Sequence, residues 1–299
     1  MSLISTDELA ARGGDPGVRV VDVRWYLGRP GEGRVAYDAG HIPGAIFVDL
    51  DSDLAATAGP GRHPLPDPRV FTARLGALGI GSEHEVVAYD DVGGWVAARL
   101  WWMLDDLGHR AVSVLDGGYQ AWVSSGNPVA TAGAEPVAGI AGGREAARLD
   151  LADHWTKVVE RDGLRARLGK VVLLDARGAP RYRGEVEPVD PVAGHIPTAR
   201  NAPTDGNLGV DGRFLPLRDL EARFISLGVG GGGAGGGVGG LGAEVVTSCG
   251  SGVSACHNAL AMRVAGLVDP VLYPGSWSDW STAGYPGATG LEPGELPSH

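Results

Sequence analysis

The feature that most constrains this chain is that it is written twice. VVDVRW (20–25) returns as LLDARG (173–178), and YDAGHIPGAIFVDL (37–50) returns as PVAGHIPTARNAPTD (191–205). Further along, EVVAYDDVGGWVAARLWWML (85–104) matches EVVTSCGSGVSACHNALAMR (244–263), and VLDGGYQAW (114–122) matches VLYPGSWSDW (271–280). The separation from Asp22 to Asp175 is close to that from His41 to His195 and from Asp90 to Cys249. A unit this long, repeated once, implies two domains of one fold in tandem, because solenoid repeats are much shorter. The chain divides into an N-terminal domain at 1–130, a linker at 131–148 and a C-terminal domain at 149–299. The linker is rich in Ala, Gly and Pro and has no periodicity.

Within each copy, short β-branched runs alternate with amphipathic stretches. VRVVDV, AIFVDL, VVAYD and VSVLDG read as buried strands. DPRVFTARLGALG reads as a helix stopped by Gly79, and AARLWWMLDDLG as one stopped by Gly108. This alternation predicts an α/β fold, with a parallel sheet in each domain flanked by helices on both faces. Binding crevices in such sheets open at the carboxyl ends of the strands. The copies differ at one place, a Gly-rich insertion at 228–242 in the second. So many glycines carry a large ordering entropy and no side chains to bury, so a mobile surface loop without a role in chemistry is expected. The run also lacks the Lys-Ser/Thr of a phosphate-binding loop and follows a helix, not a strand.

Charge narrows the partners. A formal net charge of −11 argues against non-specific nucleic-acid binding, which depends on basic surface. Any small-anion site must then rest on local arginines and backbone N–H groups instead of the field of the whole molecule. No apolar run reaches membrane-spanning length and the first residues lack a signal-peptide pattern, so a cytoplasmic protein without a membrane partner is expected. The two cysteines, Cys249 and Cys256, can build neither a disulfide framework nor a four-ligand zinc site. No metal or other cofactor is expected.

Cys249 is the residue most suited to chemistry. It follows the strand EVVTS and precedes the helix ACHNALAMRVA, at the carboxyl end of a strand and open to the crevice. Reactive sulfur is thiolate, and a free Cys with a pKa near ~8.5 is mostly protonated at neutral pH. A helix N-terminus and a concave turn can both aim N–H groups at one point and stabilise a thiolate, a persulfide or a bound anion. Gly250, Ser251, Gly252, Val253 and Ser254 can supply both, with two serine hydroxyls in addition. Cys256, about two turns into the predicted helix, is assigned to the core.

The CGSGVSA loop, the paired GHIP motifs and the duplicated module resemble the tandem rhodanese-domain sulfurtransferases, which include the thiosulfate and 3-mercaptopyruvate enzymes. The resemblance covers nearly the whole chain, with motifs in both halves matching in order and spacing. It implies two rhodanese-like domains, the first inactive because Asp90 holds the position of Cys249. It also implies that Cys249 becomes a persulfide fed by a small anionic sulfur donor and relieved by cyanide, a thiol or a protein. The Gly-Ser-Gly loop is similar to that of the mercaptopyruvate enzymes, whereas thiosulfate enzymes carry basic residues there. Three further roles follow from the resemblance: a proton relay of Ser251, His63 in RHPLP and Asp51 in FVDLD, and a substrate-carboxylate arginine at Arg181. One departure stands out, because the family's second arginine in an E-P-R stretch is replaced by Val189 in EPVD. Arg183 or another cation would have to take its place.

The remaining motifs read as structural. His41 and His195 occur in both the active and the inactive copy, which argues for a turn role, and Asp22 and Asp175 follow the same logic. Trp101, Trp102, Trp122 and Trp280 read as packing, while Trp277 is a candidate for the mouth of the site. A Cys-dependent phosphatase needs an arginine six residues after the cysteine, and Ala255 stands there. A persulfide carrier without turnover is the non-enzymatic alternative, in which the relay would be superfluous.

Overall fold

The computed structural model describes residues 2–132, 145–230 and 243–296. Most of the linker and of the Gly-rich insertion lies outside the described residues. Two compact units emerge, one from residues 1–56, 65–156 and 210–213, the other from 57–64, 157–209 and 214–299. Residues 57–64, early in the chain, thus belong with the second unit.

In the first unit the strands are β1 (Leu3–Ile4), β2 (Val18–Asp22), β3 (Ile46–Phe47), β4 (Glu85–Tyr89) and β5 (Val112–Leu115). They form one parallel sheet in the order β1-β5-β4-β2-β3. Five helices accompany them: α1 (Thr6–Ala11), α2 (Glu32–Ala39), α3 (Pro68–Ala77), α4 (Ala97–Asp106) and α5 (Gly118–Ser124). Helix α3 starts where it should, with the Asp67 carboxylate accepting the Arg69 and Val70 N–H groups and Pro68 in the first turn. Gly79 and Gly108, at φ of 82° and 100°, follow the ends of α3 and α4, a conformation that suits glycine after a helix.

The second unit repeats the plan. Strands β6 (Val172–Asp175), β7 (Arg200–Asn201), β8 (Val245–Ser248) and β9 (Val271–Leu272) pair in parallel in the order β7-β6-β8-β9. This is the first sheet's order without β1, whose place is marked by a single parallel bridge from Val158 to Leu272. The helices are α6 (Arg161–Arg165), α7 (Ala179–Tyr182), α8 (Leu217–Ser226), α9 (Ala255–Val264) and α10 (Ser276–Thr282).

Alternation along the strands sends successive side chains to opposite faces, and both faces are buried. Leu173 and Val246 pack with Leu164, Tyr182, Trp277 and Trp280 on one face. Val172, Leu174 and Val245 pack with Leu220, Phe224, Ala261 and Met262 on the other. Helices α6, α7 and α10 therefore cover one face, and α8 and α9 the other. Trp277 belongs to this core: it is fully buried and its Nε1–H donates to the Val192 carbonyl. It does not line a mouth, because its ring fills the space beneath the sheet.

The doubled motifs explain themselves here. In each unit an Asp at the end of a central strand holds an Arg two residues on, Asp22 with Arg24 and Asp175 with Arg177, all buried. Each Arg then donates to the glycine carbonyl of its GHIP turn, Gly40 or Gly194. The turn's histidine donates from Nδ1 to a tyrosine carbonyl, His41 to Tyr37 and His195 to Tyr182. Each imidazole stacks on the same tyrosine, with ring centroids 3.9 and 3.7 Å apart.

Candidate active site

Strand β8 ends at Ser248, and the chain turns through residues 249–254 into α9. The loop is fastened by the start of α10. The Trp277 and Ser278 N–H groups donate to the Cys249 and Gly250 carbonyls at 3.0 and 2.9 Å, satisfying donors that a helix start leaves without partners. The Cys249 N–H donates to Ser276 Oγ at 3.0 Å, and that hydroxyl donates to the Tyr273 carbonyl. Gly252 adopts φ of 79°, and a β-carbon there would lie 2.4 Å from the Pro274 carbonyl oxygen. Glycine is therefore required at this position.

Cys249 Sγ accepts the Gly252 N–H at 3.1 Å. The N–H groups of Gly250, Ser251, Val253 and Ser254 donate to no described residue. The loop thus holds backbone donors available to a sulfur anion. The first unit shows what such a loop does when it supplies its own anion. The Asp90 carboxylate accepts from Val92 and Gly94 at one oxygen and from Val96 and Ala97 at the other, all between 2.8 and 2.9 Å. Asp90 both lacks sulfur and fills the cradle.

Cys249 itself is 2% exposed, more enclosed than a residue open to a crevice. The loop curls over its own sulfur, which sequence periodicity does not report. Cys256 also sits differently, in the first turn of α9 and not two turns in, where its thiol donates to the Gly252 carbonyl. It is buried, as a core residue should be.

Ser251 and His63 meet within the second unit. His63 Nδ1 lies 2.8 Å from Ser251 Oγ, and both residues are nearly buried. His63 arrives on the 57–64 segment, whose Arg62 N–H donates to Ser278 Oγ. Asp51 lies in the first unit, where its carboxylate accepts the Trp25 indole N–H at 2.9 Å.

Arginines gather beside the loop. A β-carbon on Gly250 would lie 2.9 Å from Arg62 Nη2 and 3.5 and 3.6 Å from Arg181 Nη1 and Nη2. Arg181 pairs with Glu187 at 2.6 Å and with Asp190 at 3.3 Å, and Arg62 pairs with the other oxygen of Asp190. Arg177 lies behind, reaching Glu187 at 3.4 Å. Burial works against its charge, but Asp175, Glu187 and Cys249 hold the guanidinium above its ordinary value. Burial likewise pushes the Glu187 carboxyl up, and its bonds from Arg181, Asp190 N–H and Val189 N–H outweigh that and hold it low. Arg183 pairs with Glu185 at the exposed surface instead. Arg62 and Asp190 stand next to His63 in RHPLP and to Val189 in EPVD, and no local sequence pattern marks either as a site residue.

The rhodanese-like domain model matches the chain twice, at residues 5–125 and 160–283. A probable 3-mercaptopyruvate sulfurtransferase of Pseudomonas aeruginosa is 45% identical, covering 94% of this chain and 95% of that protein. The chain belongs to the tandem rhodanese-domain sulfurtransferases. A Mycobacterium tuberculosis protein with a provisional thiosulfate sulfurtransferase name is 42% identical, over 94% of both chains. The solved 3-mercaptopyruvate sulfurtransferase of Leishmania major superposes with a TM-score of 0.78 at 30% identity, over 94% of this chain and 74% of that one. Of its two matching loops, this rhodanese-domain sulfurtransferase carries a cysteine, Cys249, in the second and Asp90 in the first. Among its described residues no helix is long and apolar enough to cross a membrane.

Proposed function

We propose that this sulfurtransferase takes sulfur from 3-mercaptopyruvate onto Cys249 and hands it to cyanide, a thiol or a protein. The relatives divide between donors at almost equal identity, so the donor is argued from chemistry. With 3-mercaptopyruvate, the Cys249 thiolate attacks the donor sulfur, the C–S bond breaks and its electron pair goes to carbon. The thiol proton must then reach that carbon, giving Cys249 persulfide and pyruvate. With thiosulfate the S–S bond breaks, sulfite leaves with the electron pair, and no proton moves. Only the first reaction needs a proton carrier beside the nucleophile. The Ser251–His63 hydrogen bond carries the proposal, since a hydroxyl coupled to an imidazole can move a proton at the reacting atoms.

In this reading the loop N–H groups and Cys249 hold the persulfide, with Gly250, Gly252, Val253 and Ser254 shaping that cradle. Arg181 holds the donor carboxylate. Asp51 enters on the family resemblance alone, as the relay's carboxylate. The two guanidiniums beside Gly250 favour a second reading, thiosulfate as donor, because a dianion is served well by two cations. A cytoplasmic setting belongs to the proposal as well, on the free state of both cysteines.

The test is kcat/KM for both donors with cyanide as acceptor, alongside Cys249→Ser. Preference for 3-mercaptopyruvate and loss of both activities in the variant are expected. Strong preference for thiosulfate overturns the donor, and retained activity in Cys249→Ser overturns the persulfide.

A further inference from the structure

A groove of about 410 Å³ opens in the second unit beside α10. Ser278, Asp279, Thr282 and Ala283 line it, a spacing that puts one face of the helix along the groove, together with Arg62 and Arg161. One end meets the Cys249 loop. The Ser278 N–H donates to the Gly250 carbonyl, and Arg62 Nη2 would lie 2.9 Å from a β-carbon on Gly250. At 1.5 Å per residue the lining face from Ser278 to Ala283 is about 7.5 Å long. An extended chain covers that length in roughly two residues.

Two ion pairs line the groove, Arg161 with Asp279 and Arg62 with Asp190. In both the cation faces outward. The Arg161 side chain is 34% exposed against 7% for Asp279, and Arg62 is 25% exposed against 3% for Asp190. The groove therefore shows positive charge to solvent, although each pair is neutral and the chain carries −11. Asp279 is fully used, because its second oxygen accepts the Tyr273 hydroxyl at 2.6 Å. Arg161 is not: its Nε is enclosed and has no acceptor among the described residues. The Tyr285 ring, 5.3 Å from the guanidinium carbon, helps to hold the cation in place.

We propose that this groove receives the sulfur acceptor, a short thiol peptide whose carboxylate, one residue from the sulfur, is bound by Arg161. The proposal rests on the reading that a Cys249 persulfide is relieved by a thiol. The acceptor thiol gives its proton to solvent, and its thiolate attacks the outer sulfur of the persulfide. The S–S bond breaks, its electron pair returns to Cys249 as thiolate, and the acceptor leaves as a persulfide. A guanidinium suits the carboxylate because it offers a planar fork of donors. Acceptors without a carboxylate gain nothing from Arg161, so the groove separates thiols by what they carry beside the sulfur.

The experiment uses the full chain, a saturating concentration of whichever donor the wild type turns over, and three acceptors: glutathione, 2-mercaptoethanol and cyanide. Arg161→Ala should raise KM for glutathione roughly tenfold relative to the other two, the loss of one charge-assisted bond. Because that variant also strips Asp279 of its partner, two further variants act by charge alone at the exposed Thr282. Thr282→Glu should raise the glutathione KM and Thr282→Lys lower it, each about two- to fivefold at low salt. Opposite signs at one position cannot come from a change in helix packing. The proposal is overturned by an unchanged glutathione KM, by Thr282 variants that shift it in the same direction, or by equal shifts with 2-mercaptoethanol. A wild type that turns over cyanide but not glutathione also overturns it. So does an effect confined to reduced thioredoxin as acceptor, which gives the groove to a protein. Absence of cyanide turnover in the wild type refutes the persulfide reading itself.

Discussion

At the scale of single residues, the proposed reaction assigns the sulfur and the proton to different groups. Cys249 has the backbone donors, and Ser251 has the imidazole of His63 at 2.8 Å. If the hydroxyl and imidazole act as one unit, removing either should cost what removing both costs. Ser251→Ala and His63→Gln are each expected to lower kcat with 3-mercaptopyruvate by roughly 10²- to 10⁴-fold, the usual range for general acid–base catalysis. The double variant should fall no further. Thiosulfate turnover, which moves no proton, should fall much less in all three. Multiplying losses in the double variant, or equal losses with both donors, would assign Ser251 and His63 to loop shape alone.

At the scale of elements, the Cys249 loop is a backbone object and glycine decides whether it forms. Gly252→Ala places a β-carbon in the left-handed region, costing about 1–2 kcal/mol, and also drives it against the Pro274 carbonyl. Gly266 has a similar φ of 71° with nothing within reach of a β-carbon. Gly266→Ala is therefore a control for conformational strain alone. Both variants should lower the melting temperature, Gly252→Ala by more, and only Gly252→Ala should lose kcat/KM, by roughly 10²-fold, because it displaces the donors around Cys249. Equal activity in the two would mean the loop tolerates the shift. The central strands were legible because β-branched runs buried on both faces leave a strong pattern. Edge strands were not: AIFVDL pairs only at Ile46–Phe47, since β3 has a neighbour on one side alone. The Cys249 loop was legible from its position and from resemblance, but its closure over the sulfur was not. Arg62 is not legible in the sequence for a related reason. It is brought to Gly250 by the 57–64 segment, a long-range placement that no local period encodes.

For the whole molecule, acid brings two opposing effects. The net charge is −11 near neutrality and vanishes near pH 5.1, so acidification relieves self-repulsion and by itself would stabilise the fold. Site-specific protons oppose it. Burial pushes His109 in the first unit and His195 in the second below their ordinary 6.5, against bonds to backbone carbonyls that favour the charged form. Below pH 6.5 the unfolded chain takes up protons that both folded histidines refuse, so stability complete above that pH is lost as the pH falls. Further down, Glu187 and Asp269 resist burial through their cationic partners and sit below 4.5 and 3.8, adding a second loss as the unfolded carboxylates protonate first. Local terms should win, because the buried groups are poorly screened whereas exposed charges lose much of their repulsion at physiological salt. The melting temperature is therefore expected to fall from about pH 7.5 to about 5.5 and more steeply below about 4.5. A calorimetric series at constant ionic strength checks it. A melting temperature that climbs toward the isoelectric point would mean that net repulsion, and not the buried histidines, governs the acid side of the stability curve.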